Sequence, residues 1–132
     1  MFDNDFYKNL TKPSFTPKPI VFGIVWPVLY TLMFCSFFIV ISKESGFIKK
    51  LSLFIFFIQL FLNIIWSPVF FVFQKIKDAF VIAVLMTIFA GITALLFYKL
   101  APFAGILLIP YVIWLVFACI LNYVILSLNS KQ

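Results

Sequence analysis

Residues 51–74 read LSLFIFFIQLFLNIIWSPVFFVFQ and contain no charged side chain, although Lys50 precedes them and Lys75 follows them. An α-helix rises about 1.5 Å per residue, so about 20 apolar residues cross a hydrocarbon layer of roughly 30 Å. The stretch is long enough for one such helix and too short for two. It therefore predicts one transmembrane helix.

The same pattern recurs in three further uncharged stretches, so the chain is predicted to span a membrane four times. The composition agrees, because 65% of the residues are hydrophobic and only 11% are charged, whereas soluble domains carry about 25% charged residues. Backbone groups in lipid must hydrogen-bond internally, which favours helices. The predicted fold is an all-α bundle forming one domain over residues 1–132, with a membrane-surface segment at 1–18 and spans at about 20–42, 50–73, 79–98 and 103–127. Pro110 is expected to interrupt the last span.

The net charge of +6 comes from ten lysines and four acidic residues. The lysines lie in the ends and connectors, which is typical of contact with lipid headgroups and does not indicate nucleic-acid binding. The two termini and the 75–78 connector carry six lysines, and the other side carries four. Four spans place both termini on one side of the membrane, and this lysine distribution favours the cytoplasmic side.

Aromatic and amide side chains recur at helical spacing within three of the spans. The stripes are Phe22, Trp26, Tyr30, Met33 and Phe37; Gln59, Asn63, Trp66 and Phe70; and Tyr111, Trp114, Ala118, Asn122 and Asn129. An unpaired amide in hydrocarbon is costly, so the amides should face the bundle interior. Two interpretations remain open: the stripes join the helices to one another, or they line a ligand cavity. The third span carries small residues that favour close helix packing, namely Ala79, Ala83, Thr87, Ala90 and Ala94.

Several kinds of chemistry are excluded by composition. The chain has no histidine and no arginine, and its four carboxylates lie outside the predicted spans. A serine–histidine triad, a histidine-ligated metal and an intramembrane acid–base pair are therefore absent. We expect no metal site and no required cofactor, and conventional catalysis is not indicated.

Ordered blocks of sequence resemble the tryptophan-rich sensory protein or translocator protein family, also called the peripheral benzodiazepine receptor family. The blocks are KPSFTP at 12–17, FGIVW at 22–26, LY at 29–30, QL at 59–60, Asn63, WSPVFF at 66–71, PY at 110–111, Trp114, FA at 117–118 and LNY at 121–123. The resemblance implies a helical bundle, in a bacterial or mitochondrial outer membrane, that binds protoporphyrin IX, haem or similar planar apolar molecules. It also implies a receptor, transport or sensory role.

The resemblance implies particular site residues as well. Trp26 and Trp114 correspond to two tryptophans that matter for light-dependent porphyrin breakdown. Together with the stripes, the resemblance gives a predicted ligand-binding set of Trp26, Tyr30, Asn63, Trp66, Tyr111, Trp114, Ala118 and Asn122. The competing prediction is a small structural or accessory membrane subunit, in which the same side chains only pack.

Members of this family have five transmembrane helices, and the first would precede residue 6 here. We therefore expect a four-helix bundle with a groove along the first, second and fourth spans. The groove would have to be filled by lipid, by a partner helix or by a second copy of the chain, because the amides of Gln59 and Asn63 cannot be left unpaired in hydrocarbon. Of these we expect self-association or a partner helix.

Overall fold

The computed structural model describes residues 12, 16 and 19–129, and four long helices account for nearly all of this part of the chain. Their bounds are Pro19–Ile41 (α1), Phe47–Ser67 (α2), Ile76–Leu100 (α3) and Pro102–Leu128 (α4). Each is long and apolar enough to cross a membrane. The prediction of four membrane-spanning helices is confirmed. The predicted bounds differ from those of the helices by one to three residues, except that the second span was predicted to reach residue 73 whereas α2 ends at Ser67. The segment predicted to lie on the membrane surface, 1–18, falls outside the described residues except for Lys12 and Thr16.

Two of the helices contain an internal proline, Pro27 in α1 and Pro110 in α4. The expected interruption at Pro110 is wrong, because α4 continues through it. Proline removes one backbone hydrogen bond, and membrane helices tolerate this loss where nearby groups compensate. In α1 the carbonyl oxygen that loses its donor is that of Gly23, and the 2.8 Å hydrogen bond from the Thr31 hydroxyl to the Pro27 carbonyl oxygen is a separate contact one turn further along.

A single π-helical turn, Pro68–Val72, follows α2 and was not predicted. Pro68 has no N–H to continue the α-helical ladder, and its carbonyl oxygen instead accepts a 2.9 Å hydrogen bond from the Phe73 N–H. The wider turn places two consecutive aromatic residues, Phe70 and Phe71, in the interior. Such turns often occur at functional sites.

The helices pack in the order α1, α4, α3, α2. Helix α3 lies against both α2 and α4, and α1 lies mainly against α4. Ala79, Ala83 and Ala90 are fully buried on α3, which confirms that small residues allow its close packing. Among the described residues, the backbones of α1 and α2 scarcely approach within 8 Å. These two helices therefore meet through their side chains.

Gly105 lies at a close approach of α4 to α3, because a Cβ atom built there would be 2.5 Å from Tyr98 Cβ and 2.7 Å from Tyr98 Cα. We expect Gly105→Ala to force the two helices apart and to lower the free energy of unfolding by about 1–2 kcal/mol. Denaturation in detergent monitored by circular dichroism measures this change. Gly91→Ala is the matched control, since a Cβ atom there meets nothing within 4 Å. Equal stability of the two variants would contradict the prediction.

Candidate functional site

The candidate site lies next to a row of side-chain contacts between α1 and α2. The helices are antiparallel, so residues later in α1 meet residues earlier in α2. Phe37 stacks on Phe56 with ring centroids 5.2 Å apart, and the Gln59 amide nitrogen lies 3.7 Å from the Met33 sulfur. The Tyr30 hydroxyl then donates a hydrogen bond to the Asn63 side-chain oxygen. Beyond this pair a crevice lies between the two helices and α4.

The crevice lies between α1, α4 and the end of α2 with its π-helical turn. Its lining residues are Phe22, Trp26, Trp66, Phe70, Ala118, Leu121, Asn122 and Ile125. It encloses about 30 Å³, which is room for little more than one water molecule. In this conformation the crevice is an aromatic seam between helices rather than an open cavity.

One wall of the crevice is held by Asn122, which is fully buried on α4. Its side-chain oxygen accepts a 3.0 Å hydrogen bond from the Trp66 indole N–H. Its amide nitrogen donates to the carbonyl oxygen of Ile76, at the start of α3, over 3.3 Å. The Trp66 ring also stacks on Phe70 with centroids 5.2 Å apart. Asn122 thus joins three helices and fixes the orientation of Trp66.

A second group of polar side chains forms a continuous hydrogen-bonded chain beside the crevice. Tyr30 donates to the Asn63 oxygen, and the Asn63 amide nitrogen donates to the Tyr111 hydroxyl over 2.9 Å. The Tyr111 hydroxyl in turn donates to the Gln59 side-chain oxygen over 2.6 Å. Gln59, Asn63 and Tyr111 are all buried. This hydrogen-bonded chain links α1, α2 and α4 through side chains that are largely buried between the helices.

Trp114 lies behind the crevice wall and contacts two of its rings edge-on. Its ring centroid is 5.5 Å from that of Phe22 and 6.4 Å from that of Trp26. The indole N–H is buried, and within the described residues it is the one buried side-chain polar group without a hydrogen-bond partner. A buried donor left unpaired costs free energy, so Trp114 offers a donor to any acceptor that reaches it.

The structure divides the predicted ligand-binding set into three parts. Trp26, Trp66, Ala118 and Asn122 line the crevice. Tyr30, Asn63 and Tyr111 form the hydrogen-bonded chain, and Trp114 packs against Trp26. The photochemical role that the resemblance implies for Trp26 and Trp114 stays a prediction, and the two rings are in contact.

Sequence reasoning left five contributing residues out of the predicted set. Phe22 and Phe70 line the crevice, and Gln59 ends the hydrogen-bonded chain; all three belonged to the stripes and could have been included on that ground. Leu121 and Ile125 also line the crevice. Nothing in their chemistry distinguishes them from the leucines and isoleucines that face lipid.

The expectation that the amides of Gln59 and Asn63 need a partner from outside the chain is wrong. Both amides pair with tyrosine hydroxyls of the same chain. Satisfying a buried amide within the bundle removes the physical reason for recruiting a second molecule. A homodimer or a partner helix stays a prediction that now lacks this support.

Four membrane-spanning helices with an aromatic crevice among three of them define a helical-bundle integral membrane protein. The sequence matches the TspO/MBR family over residues 1–128, and the chain belongs to that family. It is 33% identical over 129 residues to the tryptophan-rich sensory protein of Cereibacter sphaeroides, covering 98% of this chain and 80% of that protein. It is 37% identical over 119 residues to the human translocator protein, covering 89% of this chain and 70% of that protein. The tryptophan-rich protein TspO of Chlorobaculum tepidum is 37% identical over 127 residues.

Proposed function

We propose that this protein is a membrane receptor or transporter for tetrapyrroles, such as protoporphyrin IX or haem, or for similar planar apolar molecules. The supporting observation is the concentration of aromatic rings around one crevice. Trp26, Trp66, Phe22 and Phe70 line it, and Trp114 lies directly behind. Flat rings are favourable partners for such a surface, because stacked and edge-to-face aromatic pairs are attractive beyond the area they bury.

The polar atoms around the crevice favour a largely apolar ligand. The Trp66 N–H and the Asn122 oxygen are used in bonding each other. The buried Trp114 N–H has no partner among the described residues, so it is the donor available to an acceptor on the ligand. A ligand of this class would be recognised by shape and ring stacking, with one hydrogen bond to fix its orientation.

The crevice must widen before such a ligand can enter. Sites for small molecules usually enclose about 300–1,000 Å³, whereas this crevice encloses about 30 Å³. Helix α1 is the element able to move, because it meets α2 through side chains and scarcely through backbone approach. The proposed binding mode therefore includes a displacement of α1 away from α2.

The competing function is a structural or accessory membrane subunit without a ligand of its own. The narrow crevice and the internal pairing of Gln59, Asn63 and Asn122 favour it. The unpaired Trp114 donor favours the binding function, because packing alone gives no reason to bury an N–H without an acceptor.

A fluorescence titration tests the binding function. Purified protein in lipid nanodiscs is titrated with protoporphyrin IX, and tryptophan emission is recorded. We expect saturable quenching at micromolar ligand, because the three tryptophans surround or adjoin the crevice. Empty nanodiscs containing an equal concentration of a soluble tryptophan analogue correct for light absorption and for partition into lipid. Quenching that rises linearly without saturation, as in this control, would support the structural subunit instead.

A further inference from the structure

One hydrogen bond joins α1 to α2 at the inner edge of the crevice, between Tyr30 and Asn63. We propose that this bond is a latch that holds the crevice closed, and that Gln59 is the positioning residue that keeps the latch aligned. The proposal rests on the proposed function, since it concerns how the ligand enters the same site. Gln59 does not line the crevice and acts through Tyr111 and Asn63.

The direction of the hydrogen bonds shows how Gln59 would align the latch. The Met33 sulfur beside Gln59 is a weak acceptor with no hydrogen to donate, so the Gln59 amide nitrogen faces it. The Gln59 oxygen then faces Tyr111 and accepts its hydroxyl hydrogen. The Tyr111 oxygen is left to accept from the Asn63 nitrogen, which turns the Asn63 oxygen toward Tyr30. Each step fixes the next, and the last one prepares an acceptor for the Tyr30 hydroxyl.

The position of the latch along α1 separates a fixed half of the helix from a half that can move. On one side, Ser36 donates a 2.8 Å hydrogen bond to the Ala104 carbonyl oxygen of α4, and Phe37 stacks on Phe56. On the other side lie Trp26 and the crevice. Pro27, which lacks an N–H, stands between Trp26 and Tyr30 and weakens the helix there. Breaking the Tyr30–Asn63 bond would release the crevice half of α1 from α2.

Tyr30→Phe removes the latch hydroxyl and keeps the ring. If the ligand binds an open state, its apparent affinity depends on the fraction of protein that is open. Loss of one buried hydrogen bond should increase that fraction about two- to tenfold. In stopped-flow quenching by protoporphyrin IX we expect the association rate constant to rise by about this factor, with the dissociation rate constant unchanged. Tyr98→Phe is the matched control, since its side chain is exposed at the far end of α3.

Gln59→Met is the second variant, because it removes the acceptor for Tyr111 at similar side-chain size. We expect the association rate constant to rise by less than in Tyr30→Phe, since Tyr111 and Asn63 can still pair with reversed direction. A ligand contact at Tyr30 would instead raise the dissociation rate constant and weaken binding, and that result would overturn the proposal. Unchanged rate constants in Tyr30→Phe would overturn it as well.

Hydrogen–deuterium exchange of the ligand-free protein in nanodiscs tests the latch without any porphyrin. We expect faster amide exchange in the crevice half of α1, residues 20–30, in Tyr30→Phe than in the wild type or in Tyr98→Phe. Equal exchange in all three proteins would refute the latch. If the wild type shows no saturable quenching, the proposed function fails, while the exchange data still decide whether the latch exists.

Discussion

Tyr111→Phe is expected to lower the free energy of unfolding by about 1–3 kcal/mol. The Tyr111 oxygen accepts from Asn63 and its hydrogen is donated to Gln59, so the substitution removes two buried hydrogen bonds. Interhelical hydrogen bonds in membrane bundles contribute about 1–2 kcal/mol each in model peptides and about 0.6 kcal/mol on average in double-mutant cycles. The ring is almost completely buried, and phenylalanine keeps its packing, so the change isolates the hydroxyl.

The measurement is reversible unfolding in mixed detergent micelles, followed by circular dichroism. Tyr98→Phe serves as the control, because its hydroxyl belongs to an exposed side chain and should change the free energy of unfolding by less than about 0.5 kcal/mol. Gln59 and Asn63 are one helical turn apart on α2. If Tyr111→Phe has the same free energy of unfolding as the control, the amides of Gln59 and Asn63 pair directly once the hydroxyl is gone. The Tyr111 hydroxyl is then not required to link the hydrogen-bonded side chains.

The helices of this protein are predictable from its charges alone. Lysines and acidic residues occur only between the spans or at their ends, because charged side chains are costly in hydrocarbon. Backbone groups in hydrocarbon must hydrogen-bond internally, so each uncharged stretch forms a helix. These two constraints predict that membrane-spanning helices exist, how many there are and roughly how long each one is. They do not predict the π-helical turn at Pro68–Val72, because a widened turn is as apolar as the helix that precedes it. Nor do they show that α4 tolerates Pro110, which depends on what surrounds it.

The sequence predicts which residues face the interior at the site, but it does not predict which side chains hydrogen-bond to one another. Helical spacing and the cost of a lone amide predict correctly that Gln59, Asn63 and Asn122 face inward. Which partner each one finds depends on the rotation and register of neighbouring helices, and these follow from packing that the sequence pattern does not encode. Asn63 could therefore be assigned to a cavity wall from its stripe, although it bonds Tyr30 and Tyr111.

The separation of polar and aromatic side chains has a consequence for recognition. The side chains of Asn63 and Tyr111 hydrogen-bond to each other and join the helices. The crevice, in contrast, is lined by the rings of Trp26, Trp66 and Phe70. A ligand would therefore gain little from polar groups and much from flat apolar area. The width of the crevice then limits what enters, so a side chain that fills it should have a large effect on binding.

Ala118 is the smallest side chain in the crevice lining, and Ala118→Leu is expected to reduce affinity for protoporphyrin IX by at least about tenfold. The three added carbons would extend into the crevice, which has room for little more than one water molecule. A ligand would have to displace the leucine as well as α1, and a tenfold loss corresponds to about 1.4 kcal/mol. Small-to-large changes in a packed region also commonly cost about 1–3 kcal/mol of folding stability, so the stability of this variant has to be measured beside its affinity.

The test compares dissociation constants from the same tryptophan-quenching titration for the wild type, Ala118→Leu and Gly91→Leu. The Gly91 variant adds a side chain of equal size to α3, where an added Cβ meets open space, and it should bind as the wild type does. The free energy of unfolding must be measured for both variants, so that loss of binding is not confused with loss of fold. If Ala118→Leu is as stable as the wild type and binds equally well, the ligand does not enter between α1 and α4 at Ala118. Saturable binding would then have to come from another surface of the bundle.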